Sequence, residues 1–506
     1  MEKITEVKRI LDSVHGQIKI PTKWCEKVID TPFFQRLRRI EQNSCRTVFP
    51  SARHDRFIHS LGVYHIGTLI AEHLEKECSI PEFKFSILKT YRLACLLHDV
   101  GHTPFSHTFE IYFNERNVRQ ALVETLKDES FSSDIQARKD KLTEHELISA
   151  YVATVVFRSE FSDTEINWPL LVRMIIGLPF IDENDQRDNS RFENIMIDLI
   201  HGTIDADGLD YVCRDVWAGG YHNFSIDLQR LVDAIRITQE KGNYQLSFSA
   251  KALNEIEGVL NIKNFQYLYV INHHKVHLEQ YYLVEAMKTA SAFHMNIQDR
   301  REDALKELCN YKAFLEEVTL PRLKYQLFRP CDDDFVALMK QTTPKDHYID
   351  GWLGRKFLHK PLWKSKMHFF HSLSDILYKI DIPIEIQKQN NADLYLKGIR
   401  EQRINAICES SCKEFVAKEL GLEKDDIFQK IIQPKIRRIN PNEIYVSLGD
   451  SVRKFSELTH DSFTLTGDLS KFCYWYVNLD KIEGNNNEEK ILTIIEKIKK
   501  YVISLQ

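Results

Sequence analysis

The segment LLHDVGHTPFSH, residues 96–107, places His98 and Asp99 side by side at the end of a strongly apolar run. His102 follows one helical turn later, and His107 lies beyond a Gly/Pro break. An imidazole nitrogen and a carboxylate oxygen from such a pair can bind one divalent metal. The bare His-Asp dipeptide is weak evidence, because it occurs twice more in the chain. Its meaning therefore depends on the sequence around it.

Most of that surrounding sequence has the periodicity of α-helices. Apolar residues recur on one face between Arg56 and Glu75, and the segment Phe83–Asp99 is apolar enough to be largely buried. Further helices are predicted near residues 143–158, 168–177, 193–213, 225–239, 251–271, 276–292, 301–319 and 487–504. Strands are predicted at Tyr244–Ser249, Glu443–Leu448 and Lys471–Asn478, and polar loops at Lys127–Lys141, Glu183–Arg191, Lys388–Asn391 and Glu483–Glu489. The sequence thus predicts a mostly α fold, with a smaller mixed α/β lobe in the C-terminal region.

Composition sets limits on the class of protein. The 506 residues are 43% apolar and 28% charged, which excludes a mostly disordered or low-complexity chain. A net charge of −5 provides no overall attraction to nucleic acid or anionic lipid, so a bound anion must be held by a local cluster. There is no apolar run long enough to span a membrane, and Met1–Ser13 lacks the apolar region of a secretory signal. The ten cysteines are scattered, which is typical of reduced thiols, and we expect a cytoplasmic protein.

Two other segments supply the context that the His-Asp pair needs. His59 opens a helix within HDRFIHSLG, residues 54–62. The segment IDADGLDYVCRD, residues 204–215, places five polar residues on one helix face: Asp207, Asp210, Tyr211, Arg214 and Asp215. Such a polar face beside buried helices is costly unless it lines a cavity or binds an ion. The combination predicts a metal centre.

Taken in order with HGQIKI (15–20), IDTPFFQRLRRIEQ (29–42) and FPSARHDRFIHSLGV (49–63), these segments resemble the HD-domain deoxynucleotide triphosphohydrolases. That family includes the bacterial dGTPases and the catalytic domain of the vertebrate sterile-alpha-motif/HD enzyme. The resemblance covers about residues 8–290. It implies an HD-type helical phosphohydrolase core at 1–290, with an insertion at about 111–142, followed by a helical and mixed α/β region at 291–506. The implied reaction is attack on the α-phosphorus of a dNTP, releasing deoxynucleoside and inorganic triphosphate.

The resemblance also implies roles for individual residues. The metal ligands would be His59, His98, Asp99 and Asp207, and the catalytic residues His102, His107, His145 and Glu110. Substrate contacts would come from Gln42, Arg56, Tyr211, Asp215, His274 and Lys275, and an allosteric nucleotide would meet Asp30, Gln35 and Arg38. The implied cofactor is a divalent metal (Mg, Mn, Fe or Zn). The implied partners are a nucleotide substrate, a nucleotide effector and further copies in a dimer, tetramer or hexamer, with no membrane and no clear sign of nucleic acid.

The substrate residues match the family less closely than the metal residues do. The vertebrate enzyme usually has a lysine where this chain has Gly208, and an arginine of its triphosphate clamp falls on Asn264, next to Lys263. A leucine and a tyrosine near the nucleoside fall on Asn43 and Asn272. A dNTP substrate, with dGTP preferred, remains our main expectation, and it would suit nucleotide-pool control or defence against phage. A ribonucleotide, a signalling nucleotide or a nucleic-acid end stays open, as does a non-catalytic nucleotide sensor.

Simpler structural roles compete with several of these assignments. The four ligand-type residues would also serve as a buried polar network that ties helices together. The three catalytic-type histidines could be supporting or capping residues. Asp30 before Pro32 is typical of a helix start, and Asp205 and Asp210 could simply be salt-bridged. His273, His274 and Lys275 could form an exposed basic corner.

Overall fold

The computed structural model describes residues 6–43, 48–77, 85–113, 115–138, 142–181, 191–221, 225–240, 243–297, 299–322, 325–380, 392–433, 440–449, 451–458 and 471–505. Its α-helices are α1 (Thr22–Trp24), α2 (Pro32–Gln35), α3 (Arg56–Glu77), α4 (Phe85–Leu97), α5 (Glu115–Leu126), α6 (Glu129–Ala137), α7 (Glu144–Phe157), α8 (Trp168–Ile176), α9 (Phe192–His201), α10 (Ala206–Gly219), α11 (Leu228–Asp233), α12 (Leu253–Phe265), α13 (His274–His294), α14 (Arg301–Leu308), α15 (Asp332–Gln341), α16 (His347–Gly354), α17 (Lys366–Ser372), α18 (Ser374–Leu377), α19 (Ala392–Cys408), α20 (Ser410–Leu420), α21 (Phe455–Leu458) and α22 (Asn487–Ser504). Its strands are β1 (Val7–Asp12), β2 (Gly16–Pro21), β3 (Ile235–Glu240), β4 (Asn243–Ser249), β5 (Val318–Leu320), β6 (Tyr325–Leu327), β7 (His359–Pro361), β8 (Ile427–Ile432), β9 (Tyr445–Leu448), β10 (Ser451–Lys454) and β11 (Phe472–Asn478). The predicted mostly α fold is confirmed.

The chain divides into two compact units that interleave along the sequence. The first comprises Met1–Asn264, Met287–Pro344 and Arg437–Ser462, and the second comprises Phe265–Ala286, Lys345–Ile436 and Phe463–Gln506. The resemblance implied that one region ends and another begins at about residue 290, and this boundary stays a prediction. The two compact units of the structure do not divide the chain there.

The first unit is built around packed helices that carry the predicted site. Helix α3 packs on α4 and α10, and α8 packs on α4, α7 and α9. Leu93–Leu97 at the end of α4 are fully buried, which explains the dense apolar run before His98. Gly62 lets α3 approach α10, because a Cβ there would lie 1.8 Å from an oxygen of Asp210. The sequence of α3 therefore leaves room for a polar cluster at its centre.

Small sheets complete the first unit. Strands β1 and β2 form an antiparallel hairpin in which Asp12 pairs with Gly16. A four-stranded sheet has the order β10-β9-β4-β3, and β4 pairs with β9 in parallel. The strand predicted at Glu443–Leu448 therefore lies in this unit, beside a strand about 200 residues earlier. The expectation that it belongs to the C-terminal lobe is wrong.

The second unit contains a three-stranded antiparallel sheet of order β7-β11-β8 and the helices α19, α20 and α22. All seven residues of β11 are buried, and they include the adjacent Trp475 and Tyr476. This unit is the smaller mixed α/β lobe that was predicted for the C-terminal region. Within the described residues, no helix combines the length and apolar character that a membrane crossing requires.

Several local predictions are wrong for identifiable reasons. The predicted loop Lys127–Lys141 contains α6, because Asp128 caps that helix by accepting a hydrogen bond from Phe131 N at 3.0 Å and Phe131 is buried. The single helix predicted near 193–213 breaks at Gly202. Asp205 then starts α10 as its N-cap, accepting from Gly208 N at 2.6 Å.

Other predicted helices are shorter than expected. The segment 225–239 is helical only in α11 and then forms β3, and the segment 301–319 ends its helix at Leu308 before β5. In both places a hairpin partner follows, and the strand pairing outweighs helical periodicity. The loop predicted at Glu483–Glu489 is shorter than expected, because α22 begins at Asn487. The loops predicted at Glu183–Arg191 and Lys388–Asn391 lie outside the described residues, except for Arg191. The eight described cysteines are free thiols, as predicted.

Candidate metal centre and active site

Four side chains predicted as metal ligands converge in the first unit. His59 projects from α3, His98 and Asp99 follow the end of α4, and Asp207 lies in the first turn of α10. His59 Nε2 lies 3.3 Å from His98 Nε2, 3.0 Å from Asp207 Oδ1 and 3.8 Å from Asp99 Oδ2. His98 Nε2 lies 3.5 Å from Asp99 Oδ2 and 3.8 Å from Asp207 Oδ1. His59, His98 and Asp207, up to 148 positions apart in sequence, therefore direct their donor atoms to one point, and Asp99 lies beside the two imidazoles.

This donor set fits a divalent metal. Bonds of about 2.0–2.2 Å to imidazole and carboxylate ligands would separate neighbouring donor atoms by about 2.8–3.6 Å. The separations of 3.0–3.8 Å are close to that range. Two imidazoles and two carboxylates suit a transition metal better than an all-oxygen cage would, but Mg, Mn, Fe and Zn all remain open. A purely structural polar network would not need the four donor atoms to converge.

Asp210 orients His59 from the side away from this point. Its Oδ2 lies 2.7 Å from His59 Nδ1, so the imidazole donates there and turns Nε2 toward the other ligands. Arg214 donates to both oxygens of Asp210, at 2.8 and 2.9 Å, and to Asp12 at 2.9 Å. His15 Nε2 lies 2.6 Å from Asp210 Oδ1. The prediction that Asp210 is salt-bridged is confirmed, and the contact with His59 adds a second role.

Protonation follows from these contacts. Burial opposes a charge on His59, but the hydrogen bonds that its imidazole donates to Asp207 and Asp210 outweigh it and raise the pKa of His59 to about 9. Burial would raise the pKa of Asp207, yet the neighbouring His59 holds that pKa well below its usual value. The ligand carboxylate is therefore ionised at neutral pH.

Asp99 and His98 have their own orienting partners. Arg56 donates to Asp99 Oδ2 at 2.7 Å and to the Ser106 hydroxyl at 3.1 Å. Burial would raise the pKa of Asp99, but Arg56 and the nearby imidazoles hold it well below its usual value. His98 Nδ1 lies 3.0 Å from the carbonyl oxygen of Cys95, which fixes the tautomer that leaves Nε2 for a metal. Arg56 thus holds the predicted ligand Asp99 in place.

The three remaining histidines form a second cluster around Glu110. His145 Nδ1 lies 2.5 Å from Glu110 Oε1, and His107 Nδ1 lies 2.9 Å from Glu110 Oε2. The ring of His102 lies 4.7 Å from that of His145 and 5.1 Å from that of His107. His102 is fully buried, and its Nε2 has no hydrogen-bond partner among the described residues. The structure brings these four side chains together, and their catalytic roles stay predictions.

The charges in this cluster are unequal. Burial opposes protonation of His145, but the carboxylate of Glu110 outweighs it and raises the pKa of His145 to about 9. Burial would raise the pKa of Glu110, whereas His145 and His107 hold it far below its usual value. Burial lowers the pKa of His102, and the charge of Arg56 adds to that effect. The side chain of His107 is 51% exposed and that of His145 is 9% exposed, so His107 is the more open of these two imidazoles.

The loop that carries His102 and His107 is fixed by residues that sequence reasoning missed. Phe105 and Ser106 both have positive φ, at 53° and 51°, which is unusual for residues with side chains. Asp332 accepts hydrogen bonds from Phe105 N at 2.6 Å and Glu41 N at 3.1 Å. Arg36 donates to the carbonyl oxygens of His102 and Val100 at 2.7 and 3.2 Å. No local sequence signal links these partners to the loop.

One cavity joins both clusters to part of the predicted substrate site. Its lining residues are Gln42, Arg56, His98, Asp99, His107, His145, Glu146, Ile175, Ile200, His201, Gly202, Asp205, Asp207, Tyr211 and Lys263. Gln42 Oε1 is buried in this wall and has no hydrogen-bond partner among the described residues. Asp215 instead pairs with His54 Nε2 at 2.7 Å and accepts from Asn43 at 3.3 Å. Three of the six predicted substrate residues therefore line the cavity: Gln42, Arg56 and Tyr211.

The other predicted binding residues do not join this cavity. His274 and Lys275 lie in the second unit, where the ring of His274 packs 4.3 Å from that of His273. Asp30 is 54% exposed and pairs with Lys8 at 3.2 Å. It does not cap α2, whose cap is Thr31. Their roles in binding nucleotides stay predictions.

Gln35 and Arg38, the other two residues predicted to bind an allosteric nucleotide, also keep that role only as a prediction. Arg38 donates to Gln35 Oε1 at 2.8 Å and stacks over the ring of Phe57 at 3.5 Å. Gln35 in turn donates to the carbonyl oxygen of Ile29 at 2.8 Å. Each of these side chains thus has a partner within the chain.

Comparisons with known proteins agree with this architecture. A family model described as "HD domain" matches residues 56–169. The uncharacterized MG461 homolog of Mycoplasma pneumoniae is 29% identical over 63% of this chain and 66% of its own length. The deoxynucleoside triphosphate triphosphohydrolase SAMHD1 of Gallus gallus is 30% identical over 56% of this chain and 45% of its own length. A phosphohydrolase from Bacteroides thetaiotaomicron aligns over 93% of this chain and 99% of its own, with a TM-score of 0.58 at 20% identity, a likeness of fold alone.

Helices α3 and α4 lie within residues 56–169, the segment that the HD-domain family model matches, so this segment is assigned as an HD domain. The chain is also similar to the deoxynucleoside triphosphate triphosphohydrolases SAMHD1 of Gallus gallus and Bos taurus and to the SAMHD1 homolog of Dictyostelium discoideum, at 26–30% identity. The chain spans less than half, 45%, of the length of the Gallus gallus relative. The name of that relative therefore does not by itself assign a reaction to this chain.

Proposed function

We propose that this chain is a metal-dependent phosphohydrolase that cleaves deoxynucleoside triphosphates to deoxynucleoside and inorganic triphosphate. The observation that carries the proposal is the cavity that joins the convergent donor atoms of His59, His98 and Asp207, with Asp99 beside the two imidazoles, to three imidazoles around Glu110. A site that only binds a metal does not need a buried carboxylate between two further imidazoles. Relatives whose names specify dNTP hydrolysis support the choice of substrate.

The metal site fits a cofactor held by His59, His98, Asp99 and Asp207. A divalent ion bound there would polarise the α-phosphate and lower the pKa of a coordinated water. The chain supplies the orientation of that site. Asp210 and the Cys95 carbonyl hold the two imidazoles with Nε2 facing inward, and Arg56 holds Asp99.

Glu110, His107 and His145 handle the proton. Hydrolysis breaks the bond between Pα and O5′, forms a bond between Pα and the water oxygen, and moves one proton from water to O5′. His107 is the exposed member of the cluster, and its Nδ1 contact with Glu110 leaves Nε2 for the substrate. We assign His107 as the group that delivers the proton to O5′, and Glu110 and charged His145 as its relay. His102 supports these rings from the interior.

Gln42, Arg56 and Tyr211 meet the nucleotide in the cavity wall. The unpartnered Oε1 of Gln42 is a hydrogen-bond acceptor that a base or sugar can satisfy. Preference for dGTP, activation by a nucleotide at Asp30, Gln35 and Arg38, an oligomeric state and a role in nucleotide-pool control or phage defence all belong to this proposal. Each is open to a separate test.

A ribonucleotide substrate is the second candidate, and Asn43 favours it. Its amide donates to Asp215 at 3.3 Å, so a polar contact stands where the vertebrate enzyme has a leucine. Polar groups accept a 2′-hydroxyl more readily than a bulky apolar side chain does.

One experiment tests both candidates. The purified full chain, loaded with Mg²⁺ or Mn²⁺, is incubated with the four dNTPs and the four NTPs, singly and pooled, and the products are separated by ion-pair chromatography. We expect deoxynucleoside and triphosphate from the wild type and neither from Asp99→Ala. Turnover of NTPs alone would support the second candidate. Turnover only in the pool would add weight to an activating nucleotide. If a metal-loaded protein consumes no nucleotide, the proposed function is wrong.

A further inference from the structure

The three imidazoles around Glu110 also have the geometry of a metal site. One ring nitrogen of each of His102, His107 and His145 lies within 4.8 Å of a ring nitrogen of the other two. Their ring centroids are separated by 5.1, 4.7 and 5.1 Å, so the three rings form a nearly equilateral triangle. Zinc bonds of about 2.0–2.1 Å would separate the nitrogens of a tetrahedral site by about 3.4 Å. The rings are close enough for side-chain movement to reach that spacing.

The second nitrogen of each ring has an oxygen partner. His107 Nδ1 lies 2.9 Å from Glu110 Oε2, and His145 Nδ1 lies 2.5 Å from Glu110 Oε1. His102 Nδ1 lies 3.3 Å from the carbonyl oxygen of Thr103. A histidine that binds a metal nearly always donates its other ring N–H to a carboxylate or a carbonyl in this way. Glu110, which joins His107 and His145 in the proposed relay, thus also holds both rings as a metal site requires, with Nε2 left for an ion.

His102 supplies the observation that points to an ion. It is fully buried, and its Nε2 has no hydrogen-bond partner among the described residues. Since a carbonyl oxygen can only accept, His102 Nδ1 is the protonated nitrogen and Nε2 carries a lone pair. A buried acceptor without a partner is costly, and a cation bound by the lone pair would remove that cost. The side chain of His107, 51% exposed, opens the cluster to solvent.

We propose that His102, His107 and His145 form a second metal site, which takes Zn²⁺ and blocks hydrolysis when it is filled. Three imidazoles without a carboxylate ligand suit Zn²⁺ better than Mg²⁺ or Mn²⁺, which prefer oxygen donors. The carboxylate of Glu110 behind two of the rings would offset part of the charge of the ion. Binding replaces the proton on Nε2 of charged His145 with a bond to zinc, and the proton passes to solvent.

The block rests on the proposed function, because it depends on His107 as the proton donor. Nε2 of His107 cannot carry a proton to O5′ while its lone pair is bound to zinc. The binding of the ion itself does not depend on the reaction. The competing account is a purely catalytic cluster, in which the three imidazoles exchange protons and hold no ion.

Zinc stoichiometry tests the site without any assay of activity. The full chain is dialysed against excess Zn²⁺ held in a weak chelator, and bound zinc is counted by plasma mass spectrometry. We expect two zinc ions per chain in the wild type, one in His102→Asn, and two in His371→Asn, at an exposed histidine of α17. Asparagine keeps an amide N–H near the Thr103 carbonyl but has no counterpart of Nε2. His107→Asn, at a half-exposed position, repeats the test if the buried change harms folding. Equal zinc content in the wild type and in these variants of His102 and His107 would overturn the inference.

The block is tested on the full chain loaded with Mn²⁺ at His59, His98, Asp99 and Asp207. Adding Zn²⁺ should lower dNTP turnover at least about a hundredfold, the usual contribution of a general acid, while the Mn²⁺ content stays constant. Turnover that survives with the second zinc bound would overturn the block, and so would inhibition that follows loss of Mn²⁺. If the wild type consumes no dNTP, the proposed function fails, and the zinc count still decides the site.

Discussion

The carboxylate of Asp210 lies 2.7 Å from His59 Nδ1 and receives two hydrogen bonds from Arg214. Asp210 on α10 thereby orients His59, a predicted metal ligand on α3. Helix α10 also carries the predicted ligand Asp207. The pair is fully buried, so neither its charge nor its geometry is relaxed by water. This relationship makes the two helices one support for the predicted metal ligands.

The first prediction concerns that support. Asp210→Asn should weaken metal binding about 10- to 100-fold, the usual effect of losing a partner that orients a ligand. The physical reason is that the neutral amide no longer balances the positive charge of Arg214 and no longer fixes the tautomer of His59. Metal content by plasma mass spectrometry and the visible spectrum of the Co²⁺-loaded protein measure the effect. Asp303→Asn, at an exposed residue of α14, is the matched control. Unaltered affinity in Asp210→Asn would show that Asp210 is only a structural ion-pair partner.

The second prediction concerns metal removal. A ligand that binds the folded state alone stabilises it by about 2.7 kcal/mol when present at 100 times its Kd. Chelation should therefore lower the midpoint of thermal unfolding, and returning the metal should restore it. His98→Ala should unfold at a midpoint that no longer depends on the metal, because one of four convergent donors is missing. A metal-dependent shift of full size in that variant would place the ion elsewhere.

The third prediction concerns pH. The folded-state pKa of His145 is raised to about 9 by Glu110, which outweighs the opposing effect of burial. A raised histidine pKa contributes stability that is fully present below the unfolded value of about 6.5 and is lost as pH rises through the folded value. The free energy of unfolding should thus fall between pH 6.5 and 9, by up to about 3 kcal/mol.

Glu110→Gln isolates this effect, because it removes the charge and keeps the shape. Its free energy of unfolding in denaturant should be lower at pH 6.5 and should fall less than that of the wild type up to pH 9, because only His59 then keeps a pKa raised to about 9. Glu129→Gln, at an exposed position in the first turn of α6, should behave like the wild type. An equal slope with pH in the wild type and Glu110→Gln would argue against the ion pair.

The fourth prediction concerns the loop that carries His102 and His107. Asp332→Ala should leave the backbone N–H groups of Phe105 and Glu41 unpaired and destabilise the fold by about 1–3 kcal/mol. We expect kcat to fall more than KM rises, because the loop carries His107 whereas the metal ligands lie outside it. Asp333→Ala, one residue further along α15 and exposed, is the control. Steady-state kinetics and metal analysis on the same samples would check this, and reduced metal content would contradict it.

The sequence by itself determined the helical architecture and the composition of the site. The closely spaced apolar residues before His98 and the polar face of α10 predicted these helices. A helix that buries one face shows a local sequence pattern with a period of 3.6 residues. The ordered motifs also predicted which four residues would be metal ligands and which four would form the Glu110 cluster, and the structure places each set of side chains close together. Local patterns failed where Gly202 and strand pairing interrupted helices, since pairing partners lie far away in the chain.

Only the tertiary structure decided which partners hold those residues in place. Asp332 lies 227 residues from Phe105, and His15 lies 195 residues from Asp210, so no spacing rule connects them. The position of Lys263 beside Gly208 depends in the same way on how α12 approaches α10. Charged groups in a buried site are stabilised by whichever opposite charges packing brings within hydrogen-bond distance, and packing is a property of the whole fold.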